Sequence, residues 1–459
     1  MNFKQVRNIS LVLAFGLLAP MLDTTMTNIA INNISHDLHT TLNSVQWIIT
    51  AYVLSTSIAV PFSGWLTQHF NGKYVFLVAQ MMFGLSSIGA AMSTTVNVLI
   101  FYRIFQGFAA GLIMPLVSNL LVNIAPRDYF QKLMMIVMLP IMIGPVFGPI
   151  LGAIIVEYGN WQWIFWINVP IMLIAAALNF WIVPSIPATD KTTKIDWLGI
   201  TLLGFGSASL IYGLSRAGKL ATFNNSDTWL FASIGLFALF IYVIWGIYKK
   251  KTAVLPLVLF KAPVYAASTV NLFLAGIITT GPMLILPLYF QQGRGLSILQ
   301  TGFWLLPQGI GMLLIRPLLL KLLDRIGARY VVWLSLSLSI LGTMPFGWID
   351  SKTNILVISV VLFIRGLGIG GVIMPLMTTI LMGMDKKLVP QANIGARIFQ
   401  NLGGAFGSAL VATIISSYLS THHTSLANII AYQHAFWWSV LLTGLMIIPS
   451  IFLPKYVEK

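Results

Sequence analysis

Of the 11 acidic residues in this chain, Asp23 alone lies well inside a long apolar stretch. A charge at mid-membrane costs about 2.5 to 3.5 kcal/mol even on lenient insertion scales, so such a residue needs a partner or a use. Two readings are open: a buried acid paired for structure, or a proton carrier facing a wet cavity. Burial favours a neutral carboxyl and a nearby cation favours a carboxylate, so a change of surroundings can move a proton on or off such a group. Arg103 lies about six or seven residues from the outer end of its own apolar stretch, and Asp23 about eight from the outer end of its stretch. At 1.5 Å per residue both sit roughly 10 to 12 Å below the outer boundary, in one layer. Gln106, three residues beyond Arg103, shares its helix face. Arg365, about eleven residues into another stretch, is a second deep cation; it repels cations, binds an acidic group or serves as a hydrogen-bond hub.

Other candidates follow from spacing. Gly144, Gly148 and Gly152 recur every four residues with Pro140, Pro145 and Pro149 among them. Glycines so placed give a smooth ridge for a close neighbour, and the prolines bend the helix. Gly403, Gly404 and Gly407 repeat the pattern later in the chain. Glu157 and His434 fall at outer ends of apolar stretches; each either acts on cations at an outer mouth or is a solvated interfacial group. Tyr52, Phe147, Phe273, Tyr289, Phe303, Trp304 and Phe399 are candidates to line a cavity in which flat cations stack, with methionines as adaptable contacts. His36, His39, His422 and His423 have no ligand-like spacing to carboxylates, so no metal site is expected. The chain has no cysteine, which excludes thiol nucleophiles, thiolate metal sites and disulfides. It also lacks a Walker-type loop, so ATP is not the expected driver.

The elements that must hold these residues are membrane helices. Hydrophobic residues make up 58% of the 459, charged residues only 8%, and the mean hydropathy is +0.88. A soluble fold carries about 25% charged residues, so soluble enzymes and nucleic-acid binders are excluded. Fourteen stretches are long enough to span a bilayer as helices: 8–31, 43–66, 73–94, 97–124, 132–157, 162–184, 196–216, 228–248, 265–290, 299–320, 330–349, 354–383, 394–420 and 434–455. The first follows Lys4 and Arg7 but is too long for a signal peptide and lacks a cleavage site, so it is expected to be retained. With both termini in the cytoplasm, 18 of the 26 Lys and Arg fall inside, including Lys249, Lys250 and Lys251, and 4 outside. That asymmetry satisfies the positive-inside rule.

Gly111-Leu-Ile-Met-Pro-Leu116 recurs as Gly371-Val-Ile-Met-Pro-Leu376, 260 residues later. The loop Gln68 to Lys73 likewise matches Asp324 to Arg329. Related halves place a binding site near the midplane where they meet. The expected organisation is a six-helix bundle over 1–184, a linker and inserted helical hairpin over 185–264, and a second six-helix bundle over 265–459.

Several stretches carry a further resemblance: Leu22-Asp-Thr-Thr-Met-Thr-Asn28, Arg103-Ile-Phe-Gln-Gly107, Gly144-Pro-Val-Phe-Gly-Pro149, Trp161-Gln-Trp-Ile-Phe-Trp-Ile-Asn-Val-Pro170 and Asp196-Trp-Leu-Gly199, together with Asp324-Arg-Ile-Gly-Ala-Arg329. Over nearly its whole length the chain resembles the fourteen-span drug:proton antiporters of the major facilitator superfamily, the branch with bacterial quaternary-ammonium and multidrug exporters. The resemblance implies an all-α integral membrane protein with the major facilitator fold. It gives Arg103 a role in proton coupling and makes the glycine ridge a seal associated with exchange. In Gly64-Trp-Leu-Thr-Gln-His-Phe-Asn-Gly-Lys73, Gln68 replaces the aspartate of the superfamily pattern, so a cytoplasmic charge latch must rest on Asp324, Arg325, Gly327 and Arg329.

The expectation is therefore a transporter and not an enzyme: a proton-coupled multidrug efflux antiporter in a bacterial plasma membrane, working by alternating access. Its partners would be small amphipathic drugs, mainly monovalent cations or zwitterions, with protons and membrane lipid. No cofactor is expected beyond the proton gradient, no nucleic acid binds, and the chain acts as a monomer. The rivals are a narrow exporter of one lipid or natural product, and a membrane sensor that binds without transporting.

Overall fold

The computed structural model describes residues 3–126, 129–188, 195–350, 352–381, 384–385, 388–422 and 427–455. Helices occupy all fourteen expected positions, and no strand occurs among the described residues. The first four are α1 (Phe3–Asp37), α2 (Leu42–His69), α3 (Gly72–Ala91) and α4 (Val96–Ile124). The fifth holds the short α5 (Phe130–Val137) and α6 (Leu139–Tyr158), and the sixth α7 (Trp163–Trp166) and α8 (Asn168–Ile182). The inserted pair is α9 (Trp197–Leu220) and α10 (Ser226–Lys249). Next come α11 (Pro263–Leu288), ending in a π turn at Tyr289–Gly293, and α12 (Ile298–Thr343), which carries two expected spans. The chain closes with α13 (Ile355–Gly370), α14 (Ile373–Leu381), α15 (Val389–Thr421), α16 (Ala427–Leu445) and α17 (Ile447–Ser450).

Twelve helices among the described residues are long and apolar enough to cross a membrane. Two expected spans fall outside that set. The fifth contributes a shorter apolar helix, Val146–Tyr158, and the last, Ala427–Leu445, is diluted by Asn428, Gln433 and His434. Local chemistry explains several boundaries. Thr41, Asn71, Thr95 and Asn354 cap helix starts with their side chains, and Ser297 with Gln300 forms a full capping box at α12. Within α12 the chain turns at Gly327, at φ 79° and ψ 169°, a conformation open essentially to glycine alone.

Contacts divide the chain into two units. One contains Met1–Ala208, Ala238–Leu257 and Met384–Ile394; the other contains Ser209–Phe237, Val258–Gly383 and Gly395–Lys459. The division runs through α9, α10 and α15 rather than around them.

Each unit uses the same pairings, and small residues enforce them. In the first, Gly107 and Gly111 of α4 let it lie on the backbone of α2 at Tyr52 and Thr56, whose Thr56 hydroxyl donates to the Gly107 carbonyl at 3.0 Å. In the second, Gly366 and Gly370 of α13 sit on α12 at Gln308 and Met312. Gly144, Gly148 and Gly152 of α6 pack on α1 at Met21, Thr25 and Met26, while Gly403 and Gly407 of α15 pack on α11 at Phe273 and Ile277. A methyl group at most of these positions would overlap backbone, which is how small residues bring helices together where lipid gives no hydrophobic drive.

Candidate functional site

Asp23 and Arg103, on α1 and α4, form a direct ion pair at 0% and 1% exposure. Helices α1, α2, α3, α4, α7 and α8 of the first unit supply the groups around them. Asn168, at the start of α8, donates its amide N–H to Asp23 Oδ1 at 2.9 Å. Arg103 Nη1 donates to Asp23 Oδ2 and to Gln106 Oε1 at 3.1 Å, and its Nε donates to the Ile48 carbonyl on α2 at 3.2 Å. Gln106 in turn donates to Ser87 Oγ on α3 at 2.7 Å. The Tyr52 ring lies 4.2 Å from the Arg103 guanidinium carbon and the Phe165 ring 5.7 Å from it, so the cation is also held between aromatic faces. An apolar cluster that includes Leu22, Met26, Ile48, Leu99 and Phe165 packs around the pair and keeps water from it.

This arrangement gives the acid two distinct partners and the cation several. A carboxylate there accepts from both Asn168 and Arg103. If the carboxyl is protonated, Arg103 keeps Ile48, Gln106 and the Tyr52 ring, so the cation stays housed while the acid changes charge. The glycine ridge joins this centre to α6: Thr25, two residues from Asp23, donates its hydroxyl to the Gly144 carbonyl at 3.1 Å, and Gly148 faces Thr25 closely. Of that motif, Pro140 and Pro149 lie along the same helix, and the Pro145 side chain is outside the described residues.

The other expected site residues are dispersed. Tyr52 belongs to the ion-pair network. Phe147 and Phe303 are exposed at 40% and 51%. Tyr289 is enclosed with Phe290 and Phe346, and its hydroxyl donates to the Asp350 carbonyl at 2.9 Å. Trp304 packs half-buried against that same cluster. Phe273 and Phe399 are half-buried, with rings 6.3 Å from Phe406 and 6.0 Å from Phe260 respectively. Arg365 is buried and donates to Gln308 Oε1 at 2.6 Å. Glu157 and His434 are exposed, His434 with its ring 5.0 Å from Tyr418.

In the expected latch, the Asp324 side chain is outside the described residues and Arg325 is exposed. Gly327 makes the turn, and Arg329 Nε donates to the Leu453 carbonyl at 2.9 Å. The first copy does the equivalent with Lys73, whose ammonium donates to the Phe180 carbonyl at 2.6 Å. Each loop thus clasps the end of the last helix of its bundle. Sequence reasoning missed that clasp, although Lys73 and Arg329 hold the same position in the two repeats. It also missed Asn168 and Gln308. Asn168 lies within the aromatic stretch that carried the family resemblance, whereas nothing marked Gln308.

The family model described as Major Facilitator Superfamily matches residues 13–408. The probable multidrug resistance protein EmrY of Escherichia coli is 28% identical over 91% of this chain and 82% of its own length. The putative multidrug resistance protein MdtD of Cronobacter sakazakii is 28% identical over 95% and 91%. Among solved structures, a double-tryptophan mutant of XylE superposes with a TM-score of 0.71 at 16% identity, covering 100% of this chain and 98% of that one.

Proposed function

This chain belongs to the major facilitator superfamily, transporters and not enzymes, and on that premise we propose that it is a proton-coupled efflux antiporter of a bacterial plasma membrane. It exports amphipathic drugs, mainly monovalent cations or zwitterions, by alternating access, with both termini in the cytoplasm. The relatives named for multidrug resistance support the substrate class. The observation that carries the proton coupling is the Asp23–Arg103 pair, a buried acid whose cation has other acceptors ready. Uptake of a proton by Asp23 dissolves the pair without stranding the guanidinium. Loss of that proton restores it, and α1 moves with α6 because the glycine ridge and the Thr25 hydrogen bond fasten them.

A proton crossing a 100 mV potential supplies about 2.3 kcal/mol, and only a titrating group can deliver that energy to the drug. The test is ethidium accumulation in proteoliposomes driven by an imposed proton gradient. The wild type concentrates the dye against its gradient, and Asp23→Asn only equilibrates it. Uphill accumulation by Asp23→Asn would overturn the coupling, and binding without flux by the wild type would favour a sensor.

A further inference from the structure

Arg365 and Arg397 are buried at 1% and 4% exposure in the second unit, yet no carboxylate among the described residues pairs with either. Helices α11, α13, α14 and α15 contain no Asp or Glu, and neither does α12 before Asp324. The Asp23–Arg103 and Arg216–Asp227 ion pairs lie elsewhere. Arg365 Nη1 donates to Gln308 Oε1 at 2.6 Å, and its Nη2 reaches the Ile278 carbonyl only at 3.5 Å, longer than a good hydrogen bond. Among the described residues its Nε has no hydrogen-bond partner, and neither has the Nε of Arg397, whose Nη1 donates to Gln400 Oε1 at 3.2 Å.

A guanidinium kept only to tie helices would spend its donors on carbonyls. Here the strongest contact is instead a half-buried glutamine, whose amide nitrogen stays available beside the cation. Buried donors left without acceptors cost stability, and a forked cation next to an amide N–H matches a carboxylate better than any other common head group. We propose that Arg365 and Gln308 form an acid-recognition site that takes the carboxylate of a transported amphipath. The inference rests on the exporter reading for its physiological meaning, and within that substrate range it gives zwitterions an anchor that plain cations lack. The site draws the carboxylate in without a proton transfer of its own, since guanidinium stays charged throughout.

The test uses the purified full-length protein in neutral detergent and three probes with one aromatic body: pyrenebutyrate, pyrenebutanol and pyrenebutyl-trimethylammonium. Binding is read by energy transfer from tryptophan and corrected for partition into empty micelles. The wild type should bind the acid roughly 10- to 100-fold more tightly than the alcohol, with the ammonium weakest. Arg365→Gln should bring acid and alcohol to within about threefold. Should that variant fail to fold, Gln308→Glu keeps the size of the side chain and sets a carboxylate against Arg365, which should also abolish the preference. Equal binding of the three probes by the wild type, or an acid preference that survives Gln308→Glu, would overturn the site. Acid-selective binding without proton-driven flux of pyrenebutyrate would instead leave the site standing and sink the exporter reading.

Discussion

Removing both members of the Asp23–Arg103 pair should cost clearly less than the two single removals add up to. Breaking a buried ion pair by deleting one partner typically destabilises by about 3 to 5 kcal/mol, because the survivor is left charged in a dry site. For Asp23→Asn the low end applies, about 3 kcal/mol, since Arg103 keeps the Ile48 carbonyl, Gln106 and the Tyr52 ring at 4.2 Å, and a desolvated cation–π contact is itself worth up to about 2 kcal/mol. For Arg103→Met the carboxylate retains only the Asn168 amide, so the cost should approach about 5 kcal/mol. The double variant Asp23→Asn, Arg103→Met holds no unpaired charge, and Met fills much of the volume of the arginine stem. Its deficit should be about 2 to 4 kcal/mol smaller than the sum of the single deficits. Reversible unfolding of purified protein in mixed detergent measures all three. Additivity to within about 0.5 kcal/mol would show that the two groups do not interact and would refute the reasoning.

Gly148→Ala should impair transport and destabilise by about 1 to 3 kcal/mol, because the added methyl meets the Thr25 side chain; Thr25→Ala in the same background should recover part of the loss, and no recovery would place the fault elsewhere. Lys73→Met and Arg329→Met should each remove about 1 kcal/mol of charge-assisted hydrogen bonding and speed amide exchange near Phe180 and Leu453 respectively, and unchanged exchange would contradict the clasp. A cysteine substituted for Asn224 should be labelled by an impermeant maleimide on intact cells, and one substituted for Lys250 should not; the reverse pattern would invert the orientation derived from the positive charges.

What was legible in the sequence was what membrane burial makes expensive. A lone acid and a deep arginine stand out in an apolar chain because each needs compensation, and Asp23 and Arg103 compensate one another. Their depths, counted at a fixed rise per residue, were enough to put them in one layer. Helix positions were readable for the same reason, and the glycine ridge foretold close packing, though not that its partner would be α1 beside Asp23. Neutral amides carry no such signal. Asn168 and Gln308 carry no charge that demands a counter-ion, so nothing in composition or spacing distinguished them from residues lining a helix crossing. Aromatic side chains were least legible of all. Depth within a span says nothing about which way a ring faces, and so Phe303 lies exposed while Tyr289, from the same candidate set, is sealed in an apolar cluster. The break at Gly371 between α13 and α14 was hidden within one continuous apolar run, since glycine there is as compatible with close packing as with a turn.

The central claim is that Asp23 carries the proton exchanged for drug, and proton release on drug binding tests it most directly. Purified protein in weakly buffered detergent solution would be mixed with saturating ethidium, which has a permanent charge and releases no proton of its own, while a pH indicator dye reports the solution. The account predicts acidification by the wild type and none by Asp23→Asn at matched dye binding, with Arg103→Ala changing the pH at which release occurs. Undiminished release by Asp23→Asn would contradict it and assign the proton to another group.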